Sequence, residues 1–293
     1  MTLLGGIDAG GTTFKLAIGH GPGEVVARHR VPTTTPAETI AAVRAWFAEQ
    51  PEVASLGIAA FGPLGLEAAS PDHGRILVTT KPGWSGVDLL GALRGVATGP
   101  TAIELDVAAA ALAEQTLGAG RDTRSFGYVT VCTGIGMGLI VNGIPAGGRT
   151  HPEAGHIVVP RAQGDESFPG VCSHHGDCVE GLACAAAIQA RWGDPEALAD
   201  AHPAWSILGH YLGHLAHAAV MLAGADRVAL GGGVGARPIL AKHAAETFDR
   251  LVGSYESITA SRGGALNMVV PAELGGRSGE IGALLLAERA LAT

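Results

Sequence analysis

Five groups of residues combine types and spacings that could do chemistry. The first is Asp8-Ala9-Gly10-Gly11-Thr12, a carboxylate followed by two glycines and a hydroxyl. Glycines let backbone N–H groups turn inward into an anion-binding concavity. Asp8 would repel a phosphate, so its useful role beside one is to hold Mg²⁺, through water because that ion dehydrates reluctantly. An ordinary glycine-rich hairpin turn would carry the same residues. Thr133-Gly134-Ile135-Gly136 has the same physical logic, and Gly231-Gly232-Gly233 lies where backbone can run against a nucleotide. None of the three matches the P-loop pattern or a complete dinucleotide fingerprint. Three such turns at three strand ends fit a nucleotide held between two domains better than chance turns do.

The fourth group is Asp106 and the alanine-rich stretch after it. An aspartate there can cap a helix or act as a general base toward a substrate hydroxyl, and the two roles are compatible. The fifth is His156 with Cys172-Ser173-His174-His175-Gly176-Asp177-Cys178. Cys172, His175 and Cys178 are spaced three and three, and one upstream ligand completes a tetrahedral Zn²⁺ shell. Four protein ligands would close that shell and make the zinc structural, with His174 competing with His175 for one place. Cys132 and Cys184 read as small core residues, Cys184 a turn or two inside a helix. Glu153 lies three residues before His156 and Glu180 two after Cys178. Two carboxylates and an imidazole suit the hydroxyls of a sugar, although each glutamate would also serve as a solvated surface residue.

The elements that must position these groups follow from periodicity. Strands are expected over Leu3–Asp8, Phe14–Gly19, Glu24–Val31, Ser55–Ala60 and Ala102–Leu105. Further strands fall at Phe126–Val131, Leu139–Asn142 and Arg227–Leu230. Helices are expected over Thr35–Gln50, Val87–Val96, Val107–Leu117, Val179–Trp192, Trp205–Ala223, Arg237–Val252 and Gly279–Leu291. Residues 118 onward repeat the strand, glycine turn, strand plan of the N-terminus, which implies a duplicated α/β domain. Residues 151 to 180 read as irregular.

A chain of 293 residues suits two domains at roughly 150 residues each. Hydrophobic residues make up 47%, enough for a sizeable core. The net charge is −8, with three lysines against sixteen arginines and no basic run, so a nucleic-acid partner is not expected. No apolar run approaches membrane-spanning length, and no signal-peptide pattern opens the chain. A cytoplasmic address is the expectation, and in that reducing setting clustered cysteines read as metal ligands before disulfides.

Together these motifs resemble the ROK family of bacterial sugar kinases, within the actin-like ATPase superfamily. The residues that carry the resemblance are Gly6-Ile7-Asp8-Ala9-Gly10-Gly11-Thr12, Asp106 with its helix, Thr133 to Gly136, and His151-Pro152-Glu153-Ala154-Gly155-His156. The Cys/His cluster, Glu180-Gly181-Leu182-Ala183 and Gly231-Gly232-Gly233-Val234 complete the set, from about residue 3 to 290. The Cys-x-x-His-x-x-Cys spacing resembles the fructokinase branch in particular. So do Gly57 to Pro63, Thr80-Lys81-Pro82-Gly83-Trp84 and Ala190-Arg191-Trp192-Gly193.

The resemblance implies two ribonuclease H-like α/β domains with a cleft between them. The small one would span 1–117, completed by a C-terminal helix of about 279–293, and the large one 118–278 with the zinc site. It implies transfer of the γ-phosphoryl of Mg-ATP to the 6-hydroxyl of fructose, with Asp106 as base. Glu153, His156, Glu180 and Gly62 would bind the sugar. Asp8, Gly10, Gly11, Thr12 and Lys15, with Thr133 and Gly134, would hold phosphates and magnesium. Gly231, Gly232 and Gly233 would flank the adenosine, and His156, Cys172, His175 and Cys178 would hold zinc. It also implies a homodimer. Three places depart from the family's usual pattern: Ala108 stands where Asn is usual, Cys132 where Gly is usual, and Ala183-Cys184-Ala185 where Ala-Ser-Gly is usual after Glu180. Glucose, mannose or N-acetylmannosamine could replace fructose, and a catalytically weak sugar sensor is the reading from another class.

Overall fold

The computed structural model describes residues 2–148 and 150–292. Along the chain lie β1 (Leu4–Ala9), β2 (Thr13–Gly21), β3 (Glu24–Pro32), α1 (Pro36–Ala48), β4 (Ser55–Ala60), α2 (Leu89–Leu93), β5 (Thr101–Leu105) and α3 (Asp106–Leu117). Then come β6 (Phe126–Val131), β7 (Ile135–Val141), β8 (Ile144–Pro145), α4 (Val179–Ala183), α5 (Ala185–Trp192) and α6 (Ala204–Ala223). The last are β9 (Arg227–Gly231), α7 (Gly232–Gly235), α8 (Pro238–Val252), β10 (Val269–Pro271) and α9 (Ser278–Ala292). Two compact units emerge. One comprises Met1–Ala113, Ala146–His151 and Arg277–Thr293; the other comprises Glu114–Pro145 and Pro152–Gly276.

Each unit holds one five-stranded mixed sheet, with orders β3-β2-β1-β4-β5 and β10-β9-β6-β7-β8. The connectivity is the same in both. The opening strand (β1 or β6) is antiparallel to the next and parallel to the strand that returns after a helix. The duplication expected from the glycine turns is therefore present in the sheet plan.

In the first unit β1 and β4 are buried along their whole length, which explains why both read as unbroken apolar runs rather than alternating ones. Helix α9 lies directly on them. Ser55 Oγ donates to the Ala287 carbonyl at 2.8 Å. A Cβ at Gly57 would come within 1.9 Å of the Ala283 oxygen, so only glycine admits the helix this closely. On the α1 side, Val43 and Phe47 join Phe14 and Trp84 in the core. The start of α1 is fixed by a capping box between Thr35 and Glu38.

The second unit is built around α6 and α8, packed with Trp205, Tyr211 and Phe248 fully buried. Two sequence expectations are corrected here. The strand expected from Leu139 begins at Ile135, so Cys132, Thr133 and Gly134 make the turn. The single helix expected over Val179–Trp192 is two helices. Cys184 between them is extended, with φ −73° and ψ 169°. The Ala185 N–H turns away from the helix ladder to the Cys132 carbonyl at 2.8 Å, which ties the break to the glycine turn.

Candidate active site and metal cluster

The first unit gathers Asp8, Lys15, Asp106 and the Gly10–Gly11 turn. Asp8 is the penultimate residue of β1 and the direct cross-strand partner of Lys15, whose Nζ donates to Asp8 Oδ2 at 2.9 Å. Gly10 closes the hairpin through its N–H to the Asp8 and Thr13 carbonyls, and Thr33 Oγ1 donates to the Gly10 oxygen at 2.8 Å. A Cβ at Gly11 would meet nothing within 4 Å, so the turn borders open space. Thr12 is exposed at its tip.

Asp106 is the first residue of α3 rather than a residue preceding it. Its Oδ1 accepts the Val107 N–H at 2.7 Å instead of an N–H one turn further on. Burial, reinforced by the Asp8 carboxylate and partly opposed by Lys15, pushes its carboxyl up to about 7. A carboxylate so poised can take a proton near neutral pH. Glu104, two residues earlier on β5, is also held above the usual carboxylate range by burial. Gly62 follows β4, where a Cβ would come within 2.7 Å of Leu105 and 3.2 Å of His151 Nε2.

In the second unit the donor atoms of His156, Cys172, His175 and Cys178 lie within 4.8 Å of one another. His156 Nδ1 is 3.7 Å from Cys172 Sγ and 3.6 Å from Cys178 Sγ, and His175 Nδ1 is 3.8 Å from Cys172 Sγ. A tetrahedral ion with sulfur at about 2.3 Å and nitrogen at about 2.0 Å sets unlike donors about 3.5 Å apart. Three of the donor pairs lie within about 0.3 Å of that spacing and the whole set within 4.8 Å, so the four residues suit such an ion. His174 lies outside the set, its ring 6.3 Å from that of His156. Burial pushes the Cys178 thiol up to about 11, so an ion bound here would have to displace a proton.

The cluster sits beside Glu180, at the start of α4. Glu180 Oε2 accepts the Ile135 N–H at 3.0 Å, and Oε1 is 4.0 Å from His156 Nδ1. One carboxylate thus links the metal cluster to the Thr133–Gly134 turn. Glu153 is exposed, and its carbonyl accepts the His156 N–H at 3.0 Å.

The third glycine run starts α7. Gly232 has φ +85°, and a Cβ there would strike Cys132 Sγ and Thr130 Oγ1, both at 2.7 Å. Gly233 faces open space and its N–H donates to Cys132 Sγ at 3.3 Å. Cys132 is thus part of this turn and not the core residue its type suggested.

Two features escaped the sequence. A buried network holds the loop before the cysteines, with Arg191 Nη1 donating to both Asp165 oxygens at 2.7 and 2.6 Å and Tyr211 OH to Asp165 Oδ2 at 2.6 Å. The other is Lys81, whose Nζ donates to the Gly11 carbonyl across 70 residues of sequence. Arg191 and Lys81 fall in segments the sequence singled out, but nothing in their spacing announces either partner.

The sequence profile of the ROK family matches residues 4–290. The chain belongs to the ROK family. Among its ROK relatives, a fructokinase of Pediococcus pentosaceus is 37% identical over 290 residues, 99% of each chain. A fructokinase of Zymomonas mobilis is 40% identical over 242 residues, covering 79% of this chain and 80% of the relative. The fold matches a ROK hexokinase from Thermus thermophilus with a TM-score of 0.78 over 99% of both chains, at 24% identity. The two sheets thus share the actin-like ATPase plan of the ROK sugar kinases.

Proposed function

We propose that this chain is an ATP-dependent fructokinase that moves the γ-phosphoryl group of Mg-ATP to the 6-hydroxyl of D-fructose. The observation that carries the reading is its likeness to fructokinases at 37 and 40% identity over most of their length. The local chemistry is consistent with it. Asp106, with a carboxyl near 7, takes the hydroxyl proton as the sugar oxygen bonds to the γ-phosphorus and the bond from phosphorus to the ADP oxygen breaks. Most of the remaining work in phosphoryl transfer is positioning and charge stabilisation.

In this reading Glu153, His156, Glu180 and Gly62 orient the sugar. The Gly10–Gly11 turn with Thr12 and Lys15, and the turn at Thr133 and Gly134, receive phosphates. Gly231 to Gly233 lie along the adenosine. Magnesium, held through water by Asp8, supplies charge neutralisation for the phosphates. Zinc at His156, Cys172, His175 and Cys178 supplies a structural tether. His156 offers Nδ1 to that cluster, which leaves Nε2 for the sugar. The enzyme is proposed to act in the cytoplasm as a homodimer, for which light scattering should return twice the chain mass.

The test is ADP release with Mg-ATP against fructose, glucose, mannose and N-acetylmannosamine. Fructose should give the highest kcat/KM. A higher value with another hexose would keep the kinase and discard fructose as its substrate.

A further inference from the structure

Lys81 is a lysine whose charge the site described so far does not use. It lies on a short loop closed on itself: Ser85 Oγ accepts the Thr79 N–H at 3.0 Å and donates to the Thr79 carbonyl at 3.2 Å, and the Trp84 N–H donates to the Lys81 carbonyl at 3.2 Å. Trp84 fastens this loop to the unit. It is fully buried, its Nε1 donates to the Thr34 carbonyl at 2.9 Å, and its ring packs 5.5 Å from both Phe14 and Phe61. Phe14 is the second residue of β2, and Thr33, next to Thr34, donates to Gly10. Loop and glycine turn are thus anchored to the same few residues, and the Lys81 Nζ donates to the Gly11 carbonyl.

The charges at this turn are unevenly matched. Lys15 already shares its charge with Asp8. Lys81 is half-buried, and among the described residues no carboxylate pairs with it; its ammonium meets only a carbonyl dipole. An ammonium has three donors, so two remain after the Gly11 bond. A partly desolvated cation without an anion costs free energy, and this one borders the open space over Gly11. A phosphate entering there would also face the carboxylates of Asp8 and Asp106, and a second cation is what would offset them.

We propose that Lys81 is a phosphoryl-contacting residue, whose ammonium keeps the Gly11 carbonyl as an anchor and gives its remaining donors to the terminal phosphates of the nucleotide. The proposal rests on the kinase reading for its substrate, but the chemistry it names is polyphosphate binding. It adds a group to the transfer machinery whose contribution should grow as charge shifts in the transition state.

The discriminating variant is Lys81→Gln, which can still donate to the Gly11 carbonyl but carries no charge. Lys81→Arg restores the charge, and Lys242→Met, on α8 beside Glu246, controls for the loss of one positive charge elsewhere. We expect Lys81→Gln to lose about 10²–10³ in kcat/KM for ATP, with KM for the sugar changed by less than about threefold and an unchanged melting temperature. Lys81→Arg should recover part of the loss, and Lys242→Met should behave as the parent. Calorimetric titration with inorganic tripolyphosphate, without sugar, should show weaker binding to Lys81→Gln than to the parent. Parent-like kcat/KM for ATP in folded Lys81→Gln would overturn the proposal and leave Lys81 as a loop staple. Should the parent turn over no sugar, the kinase reading fails, and the tripolyphosphate titration decides alone: equal binding by parent and Lys81→Gln overturns the proposal, weaker binding by the variant sustains it.

Discussion

Asp106 owes its chemistry to neighbours. Its carboxyl stands at about 7 because it is buried and faces Asp8, and Lys15 keeps it from rising further. A base works only when deprotonated. The kcat/KM profile should therefore climb with pH through about 7 and level off above, with the acid limb reporting Asp106 in the free enzyme. The Val107 N–H and the Lys15 ammonium both lower this value, and Lys15→Met removes the second, so the limb should move to higher pH. A limb that stays in place in that variant would show that another group sets it. The sequence made Asp106, Asp8 and the Cys/His set legible because residue type and spacing are local properties. It could not show that Lys81 reaches Gly11, that Arg191 holds Asp165, or that Cys132 lines the Gly232 turn, because each depends on how distant segments pack.

At the scale of elements, two kinds of glycine position the site and respond differently to a methyl group. Gly57 lies under α9, and alanine there would drive Cβ into the Ala283 carbonyl. Overpacking of this kind costs about 3 kcal/mol, so Gly57→Ala should melt several degrees lower, as differential scanning calorimetry would show. Gly11 borders open space. Gly11→Ala should melt like the parent yet raise KM for ATP; a lowered melting temperature with unchanged KM would make the glycine structural. The expected strands and most helices are present because apolar runs and hydrophobic period are local properties of the sequence. The failure at Val179–Trp192 is instructive. Apart from Gly181, most of it has helical propensity, but the Cys132 carbonyl captures the Ala185 N–H and breaks the helix just after Glu180, whose carboxylate accepts the Ile135 N–H beside the Thr133 turn. Tertiary hydrogen bonding overrode propensity there.

At the scale of the whole molecule, the chain repeats one sheet plan and furnishes each copy with a glycine turn and a carboxylate. The second copy adds the Cys/His cluster, and metal bound there becomes folding free energy because the unfolded chain has no such site. Removing it with a chelator should lower melting temperature and activity together, with zinc found at one equivalent per chain by elemental analysis beforehand. Active protein without metal would remove the tether from the account. The claim on which the whole account depends is that Asp106 takes the proton during phosphoryl transfer. It is tested most directly by comparing the parent with Asp106→Asn for ADP release from Mg-ATP and fructose, with fructose binding measured separately by calorimetry. The account expects a loss of about 10²–10⁴ in kcat while fructose affinity stays within about threefold of the parent. Near-normal turnover in Asp106→Asn would contradict it.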